Sequence, residues 1–232
     1  MAAQRPIPPG GLLAEGRSAA VFAIDDGWLL RRFHDPQADA STEAPVLRWA
    51  ARHGVPVPAV REAAGPDLVL EHVRGPSMLG ALLDDPAGAA GHGRVLASLH
   101  RSLDRVPAPA GLPTPTGQPG RLLHGDLHPD NVLLAGAGPV LIDWTNAASG
   151  PSGYDTATTW LVLACFDHPD PDVGARLAGL RRPLLDAFLS GIDRSAAAAA
   201  LPCVVAHRTA DPATTDVERA RIEAFAGDVL SR

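Results

Sequence analysis

The sequence predicts an α+β chain in which a small antiparallel sheet with one helix precedes a larger, mostly helical part. Turn residues alternate with short apolar runs over the first 72 residues, and the pattern becomes helical after Arg74-Gly75-Pro76, which indicates a hinge. Apolar residues make up 46% and charged residues 20%, as is typical of a globular protein. We therefore place one domain at residues 1–75 and a second at 76–232.

Five segments of the first domain have β character, and one is helical. The predicted strands are Leu12–Glu15, Ala20–Ile24, Trp28–Phe33, Val60–Ala63 and Leu68–His72. The sequences Asp25-Asp26-Gly27 and Gly65-Pro66-Asp67 are typical of turns that close hairpins. A helix is predicted over Ser41–His53, because Pro45 falls in its first turn and Gly54 ends it.

The third strand has a predicted inner and outer face. Because side chains alternate along a strand, Leu29, Arg31 and Phe33 share one face, while Arg32 points the opposite way. We expect Arg31 to face a cleft and Arg32 to face solvent.

The second domain is mainly helical. A proline-rich loop from Pro107 to Gly120 separates its early helices from two short strands. The predicted helices are Met78–Asp84, Ala87–Leu103, Tyr154–Phe166 and further helices broken at Pro169–Pro171, Gly191 and Pro212; the predicted strands are Val132–Leu134 and Val140–Ile142.

Charge excludes several kinds of function. The net charge is −6, and there is no basic stripe of the kind that binds nucleic acid, so no nucleic-acid partner is expected. All 20 basic residues are Arg. Without Lys, a P-loop lysine, a Schiff base and a Ser–Lys dyad are excluded.

Apolar runs and cysteines bear on location. No run is long enough for a membrane span, and the first residues have no apolar core of a secretory signal. Cys165 and Cys203 form neither a metal-binding spacing nor a disulfide framework. We expect a cytoplasmic protein without a membrane partner, present as a monomer or a homodimer.

The strongest chemical signal is one loop between short apolar segments. The run His124-Gly125-Asp126-Leu127-His128-Pro129-Asp130-Asn131 crowds polar side chains, and Asp143 follows the strand Val140–Ile142. Phosphoryl transfer from a nucleotide needs one carboxylate to orient a hydroxyl, and a carboxylate plus an amide oxygen to hold Mg²⁺. This loop and Asp143 provide those groups.

Two other interpretations of these residues remain open. The loop is a structural turn with capping Asp residues, or His124, Asp126, His128 and Asp143 bind zinc in a metal-dependent hydrolase. A serine hydrolase lacks its usual G-x-S-x-G sequence here.

The ordered series H-G-D-L-H-P-D-N, I-D-W and a helix-start Asp155 resembles the aminoglycoside phosphotransferase and choline kinase-like family, which has the protein-kinase-like fold. The resemblance implies a bilobal protein with a β-rich nucleotide-binding lobe and a helical catalytic lobe. It also implies that Asp126 is the catalytic base, that His128 approaches the γ-phosphate, and that Asn131 and Asp143 bind Mg²⁺.

The same resemblance implies roles outside this loop. His124 and Asp155 brace the catalytic loop. Arg31 stands where the family has its phosphate-binding Lys, and Glu43 resembles the helix glutamate that orients that Lys. Each of these roles has a structural alternative. Arg31 is then an ordinary strand arginine, Glu43 an ordinary carboxylate at the start of a helix, and His128 an ordinary loop residue.

The nucleotide is expected to contact the first domain and the second pair of strands. The segment Glu15–Ala20 replaces the family's Gly-rich loop, with only Gly16 retained, and the Glu71 carbonyl and Val73 N–H are expected to pair with adenine. The other residues that the resemblance assigns to the nucleotide are Gly16 and Ser18 beside phosphate, and Val21, Leu29, Leu133 and Ile142 around the purine.

The implied function is transfer of the γ-phosphoryl of ATP or GTP, with Mg²⁺, to a hydroxyl of a small molecule such as an aminoglycoside or other antibiotic, an amino alcohol or a sugar. Residues 76–232 carry 12 Arg and 17 acids, net −5, which favours a cationic acceptor. A nucleotide-binding pseudokinase remains an alternative, because the Lys is missing and the Gly loop is thin.

Overall fold

The computed structural model describes residues 11–16, 18–25, 27–165, 170–212 and 214–230. Several positions used above lie outside these residues. They are the first ten residues, Arg17 within the segment that replaces the Gly-rich loop, Asp26 of the first hairpin turn, Phe166 at the end of a predicted helix, and Pro169.

An antiparallel sheet precedes a helical part, which confirms the predicted α+β class. The strands are β1 (Leu12–Glu15), β2 (Ala19–Ala23), β3 (Trp28–Phe33), β4 (Val60–Ala64), β5 (Asp67–Glu71), β6 (Arg121–Leu123), β7 (Val132–Ala135), β8 (Gly138–Leu141) and β9 (Ala148–Gly150). The helices are α1 (Glu43–Arg52), α2 (Met78–Asp84), α3 (Ala89–Leu103), α4 (Ser152–Cys165), α5 (Pro171–Leu189), α6 (Arg194–Ala210) and α7 (Asp216–Leu230).

The described residues form two units. The sheet unit contains the residues up to Gly75 together with Leu133–Thr145, and the helical unit contains those of Pro76–Val132 and Asn146–Arg232. The sequence placed 133–145 in the second domain, whereas the β7–β8 hairpin belongs to the sheet unit. A hydrogen bond between distant segments connects the hairpin to this unit: the Leu141 N–H donates to the Pro56 carbonyl at 2.8 Å.

The sheet unit is built on five antiparallel strands in the order β1-β2-β3-β5-β4. Val21 of β2 lies opposite Arg31 of β3, so the two side chains share a face of the sheet. Helix α1 follows β3 and buries Val46 and Leu47. Its first residue, Glu43, is thereby placed within reach of Arg31.

The expectation that Arg32 faces solvent is wrong. Arg32 lies opposite Asp67 of β5, and its guanidinium donates to both carboxylate oxygens, at 2.7 and 2.8 Å. Asp67 is buried and only 13% of the Arg32 side chain is exposed. Alternation within β3 indicated the opposite face correctly, but the cross-strand partner covers that face at this position.

The helical unit packs α3 against α5 and α4 against α6. Its core includes Leu96, Phe188 and Leu201, all fully buried. Strands β6 and β9 pair antiparallel, with Leu123 opposite Ala148. This pair was not predicted, because each strand has three residues and β9 consists of the small residues Ala, Ser and Gly.

Within the described ranges, no single helix is long and apolar enough to cross a membrane. Helices α5 and α6 reach that length and composition only together, and they are bent by 119°.

Gly93 allows α3 and α5 to approach each other. A Cβ at this position would overlap the Leu184 carbonyl oxygen, whereas a Cβ at Gly91 of the same helix has no neighbour within 4 Å. We expect Gly93→Ala to lower the free energy of unfolding by roughly 1–3 kcal/mol through overpacking. Gly91→Ala, the matched control, should raise it by roughly 0.5–1 kcal/mol through helix propensity. Urea unfolding checks both, and equal effects would contradict the close packing.

Candidate active site

A cluster of charged side chains in the sheet unit centres on Arg31. One guanidinium nitrogen of Arg31 donates to both carboxylate oxygens of Glu43, at 2.9 and 3.0 Å. The other donates to Oδ1 of Asp143 at 2.9 Å. The guanidinium carbon also lies 4.8 Å from the centre of the Phe33 ring. The structure therefore brings three of the predicted site residues together through one side chain.

Glu43 is a buried carboxylate, with 4% of the residue exposed. Burial raises the pKa of Glu43 above its ordinary value, although the Arg31 charge and the Trp144 N–H both oppose this increase. The Trp144 N–H donates to Oε1 at 3.1 Å. Glu43 thereby links α1, β3 and the segment that follows β8.

Asp143 has an unusual backbone for its residue type. Its φ is 60°, and it is the one non-glycine with positive φ among the described residues. Asp tolerates this region better than most residues do. Its Oδ1 also accepts a hydrogen bond from the Thr145 hydroxyl at 2.7 Å, and 38% of the side chain is exposed. The carboxylate is thus oriented by two donors yet accessible.

The four apolar residues assigned to the purine are all half-buried residues of the sheet unit. Val21 and Leu29 share the sheet face of Arg31. Leu133 lies in β7, and Ile142 directly follows β8. Such partly exposed apolar side chains are suited to contact with a flat ring.

The predicted linker is arranged differently from the expectation. The Val73 N–H donates to the Glu71 carbonyl at 3.0 Å, so the two groups expected to pair with adenine bond to each other. They are two residues apart, which is the spacing of a three-residue turn. An adenine contact from the Val73 N–H would require this turn to open.

Gly16, in the segment that replaces the Gly-rich loop, has both of its backbone polar groups in hydrogen bonds. The Gly16 N–H donates to the Ala19 carbonyl, and the Gly16 carbonyl contacts Nε2 of His34, both at 2.9 Å. Gly16 and Ser18 are both exposed. The Gly16 amide is therefore bonded to Ala19 rather than directed at a phosphate site, whereas Ser18 is accessible.

A second set of predicted residues lies in the helical unit, around buried Asp155. The N–H groups of His124 and Gly125 donate to its two carboxylate oxygens, at 3.2 and 2.8 Å. Gly125 has a φ of 80°, and a Cβ there would overlap the Asn146 carbonyl oxygen. Burial raises the pKa of Asp155, while the His124 charge and these two N–H groups oppose it.

Asp126 follows these two residues and carries the carboxylate assigned as the base. Burial alone would raise its pKa, but the hydrogen bond and charge of His128, with the charges of Arg208 and His124, lower it below the ordinary value. Nε2 of His128 lies 3.6 Å from Oδ2 of Asp126. The carboxylate is therefore ionised at neutral pH, as a proton acceptor must be.

Asn131 ends the short 3₁₀ turn Pro129–Asn131. Its Nδ2 donates to the Asp126 carbonyl at 2.9 Å and contacts Nε2 of His128 at 3.3 Å. The amide nitrogen thus bonds within the loop, and Oδ1 points the other way. An amide oxygen is one of the ligands that suit Mg²⁺.

Thr159 is a residue of this region that the sequence analysis missed. Its hydroxyl donates to the Leu127 carbonyl at 2.6 Å, and Nε2 of His100 contacts the same hydroxyl at 2.8 Å. The single hydroxyl hydrogen is used toward Leu127, so His100 is the donor of the second bond. The signal was present, since Thr159 lies four residues after Asp155 on the same face of α4.

The zinc alternative needs a ligand cluster. In the part of the chain that the structure describes, no three or more His, Cys, Asp or Glu side chains are grouped to hold a metal ion. His124, Asp126 and His128, which all lie in the helical unit, do not form such a group.

Comparison with known proteins identifies the family of this chain. The sequence profile of the phosphotransferase enzyme family (APH) matches residues 11–115 and 103–194. The chain belongs to the phosphotransferase enzyme family. No curated protein matches the phosphotransferase in sequence.

Solved structures show the phosphotransferase to have a kinase-like fold. The aminoglycoside phosphotransferase APH(4)-Ia has a TM-score of 0.65 at 13% identity, over 95% of this chain and 92% of that one. A thermostable mutant of that enzyme, in a ternary complex with AMP-PNP and hygromycin B, has a TM-score of 0.61 at 12% identity, over 95% of this chain and 92% of that one. Choline kinase from Cryptosporidium parvum Iowa II has a TM-score of 0.60 at 13% identity, over 94% of this chain and 87% of that one.

Acid should destabilise the phosphotransferase through His100. Burial lowers the pKa of His100 to about 3, from about 6.5 in an unfolded chain. Between these two pKa values His100 binds a proton in the unfolded state but stays neutral in the folded state. The free energy of unfolding should therefore fall between pH 6.5 and 5, by up to about 1.4 kcal/mol per pH unit.

His100→Gln keeps a donor for Thr159 and removes this titration, so its stability should change less over the same range. Urea unfolding at each pH measures the difference. A wild type that gained stability on acidification would instead indicate an ion pair with Asp155, whose Oδ2 lies 3.6 Å from Nδ1 of His100.

Removing Arg31 should leave buried Glu43 without its charge partner. We expect Arg31→Met to lower the free energy of unfolding by about 3–5 kcal/mol. The double variant Arg31→Met with Glu43→Leu should recover much of this loss, because apolar residues then replace the pair. Arg61→Met, on an exposed arginine, is the control. An unaltered midpoint in Arg31→Met would disprove the role of the pair.

Proposed function

We propose that this phosphotransferase transfers the γ-phosphoryl of ATP to a hydroxyl group of a small molecule. The observation that carries the proposal is the loop His124–Asn131. Two backbone N–H groups attach it to buried Asp155, Asp126 is kept ionised, and the Asn131 amide is oriented by its bond to the Asp126 carbonyl. This arrangement suits Asp126 as a general base and Asn131 as a nearby metal ligand.

Asp126 accepts the proton of the acceptor hydroxyl as that oxygen attacks the γ-phosphorus. A bond forms between the acceptor oxygen and phosphorus, the bond from phosphorus to the β–γ bridging oxygen breaks, and ADP leaves. The lowered pKa of Asp126 makes it a weak base, so its main contribution is to orient the hydroxyl. His128, 3.6 Å from Asp126, contributes positive charge when protonated.

The donors available fit Mg²⁺. Asn131 has an amide oxygen directed away from the Asp126 carbonyl, and Asp143 has an accessible carboxylate, both of which suit a hard cation. When bound, Mg²⁺ would neutralise charge that develops on the phosphate oxygens. Asn131 and Asp143 are the residues that we propose as its protein ligands.

Arg31 acts on Asp143 as well as on Glu43. Its planar guanidinium has enough donors for both carboxylates, which an ammonium group would hold less rigidly. We propose that Arg31 keeps Asp143 oriented and contributes positive charge toward the phosphates. Glu43 is a positioning residue in this scheme.

The nucleotide is proposed to be ATP, with the half-buried residues Val21, Leu29, Leu133 and Ile142 beside its base. Support comes from the AMP-PNP complex of the APH(4)-Ia mutant, which has the same fold. GTP carries the same γ-phosphate, and competition between the two nucleotides tests the preference. Both cysteines of the chain are free thiols, and we propose a reducing, cytoplasmic location.

A pseudokinase is the second candidate, and two observations favour it. The Val73 N–H is bonded to Glu71, and the Gly16 amide is bonded to Ala19, so backbone groups expected at the nucleotide are already in use. A pseudokinase would bind nucleotide and form no ADP with any hydroxyl compound.

Asp126→Asn should decide between the two functions. The substitution removes the proton acceptor with little change in volume, so kcat should fall by about 10²–10⁴-fold while ATP affinity stays nearly constant. ADP formation with a panel of hydroxyl compounds and nucleotide titration measure the two quantities. The control is Asp186→Asn, because the Asp186 side chain is 69% exposed on α5. Nucleotide binding without turnover in the wild type would refute the kinase proposal.

A further inference from the structure

A cavity of about 240 Å³ lies within the helical unit, and of the residues that line it only His128 has a role assigned above. Most of its wall is aliphatic. The apolar side chains around it include Leu79 and Leu82 of α2, Val162 of α4, and Leu177, Leu180 and Leu184 of α5. Arg176 of α5 also donates to the Leu83 carbonyl, which joins two of these helices. Helices linked in this way provide a largely pre-formed pocket for an apolar group.

The catalytic loop forms the remaining side of this cavity. His128, Pro129 and Asp130 all line it. Nε2 of His128 lies 3.6 Å from the Asp126 carboxylate, so a single imidazole ring borders both the cavity and the proposed base. A molecule with a hydroxyl at Asp126 therefore has an apolar space close by for the rest of its structure.

The charges near Asp126 do not favour a strongly cationic acceptor. Arg208 and His128 both contribute positive potential at Asp126. Among the residues that the structure describes, the cavity wall carries one acid, Asp130, and one arginine, Arg181, whose charges offset each other. The acidic excess of residues 76–232 thus has no counterpart in the described part of the cavity wall.

We propose that this cavity binds the non-reacting part of the acceptor, and that the acceptor is an alcohol with an apolar ring or branched hydrocarbon group. The proposal rests on the proposed function, since it assigns the substrate class of the same site. A dry apolar cavity of about 150 Å³ is large enough to hold benzene. This cavity has room for a larger group, such as a bicyclic ring.

The experiment uses four hydroxyl compounds of graded polarity: glycerol, benzyl alcohol, 2-naphthylmethanol and hygromycin B. Saturation-transfer NMR measures their binding to the full chain without nucleotide, and ADP formation with Mg²⁺ and ATP measures turnover. We expect the two aromatic alcohols to bind, and kcat/KM to be at least about tenfold higher for 2-naphthylmethanol than for glycerol.

Two variants of Leu177 change the size of the cavity. Leu177 is only half-buried, so its replacement is tolerated better than that of a core residue. Leu177→Trp fills the space and should lower kcat/KM for 2-naphthylmethanol by at least about tenfold, with ATP affinity unchanged. Leu177→Ala enlarges the space and should favour 2-naphthylmethanol over benzyl alcohol. Ala175→Trp, on the exposed face of α5, is the matched control and should change neither quantity.

The outcomes separate this inference from the proposed function. Turnover of glycerol or hygromycin B that exceeds turnover of the aromatic alcohols, and that Leu177→Trp does not affect, would overturn the inference and leave the kinase function standing. Aromatic alcohols that bind in a manner sensitive to Leu177, with no ADP formed from any hydroxyl compound, would overturn the kinase function and the acceptor role of the cavity together. If Leu177→Trp fails to fold by circular dichroism, the Leu177→Ala preference decides alone.

Discussion

A buried carboxylate must be surrounded by donors, because its desolvation is otherwise too costly for a folded protein to tolerate. Each unit of this chain meets that constraint beside a loop that we propose to be functional. In the sheet unit, Glu43 receives the Arg31 guanidinium and the Trp144 N–H. In the helical unit, Asp155 receives the N–H groups of His124 and Gly125. The loops that bear Asp143 and Asp126 take their shape from these bonds.

The replacement of the expected lysine by Arg31 has a structural consequence. An ammonium group is a point charge, whereas a guanidinium directs donors along two sides of a plane. Arg31 uses one side for Glu43 and the other for Asp143. One side chain thus joins a buried structural carboxylate to the accessible carboxylate that we propose as a metal ligand, so we expect a change at Arg31 to affect both stability and the proposed chemistry.

The helical unit combines a polar and an apolar environment along one short loop. Asp126 is surrounded by basic groups, while His128, Pro129 and Asp130 form one side of a cavity whose other walls are mostly leucine and valine. Net charge alone favours a cationic acceptor, whereas the described residues that line the cavity include one acid, Asp130, and one arginine, Arg181. The proposed apolar acceptor rests on the residues of the cavity wall, and the cationic acceptor stays a prediction from the summed charge.

Properties that depend on chain neighbours could be predicted well. The alternation of β3 and the grouping of Asp126 with Asn131 follow from local spacing, and the structure has both. The helix predicted over Ser41–His53 is also present and spans Glu43–Arg52. Other properties depend on pairings between distant segments. The Asp67 partner of Arg32 is set by the register of β3 against β5, and the membership of the β7–β8 hairpin is set by a bond to Pro56. The Leu127–Thr159–His100 chain and the cavity beside α5 likewise require helices to be packed. Local sequence patterns do not give the register between distant strands or the distance between helices. The ion pair of Arg32, the Leu127–Thr159–His100 chain and the cavity therefore become visible only once the elements are packed.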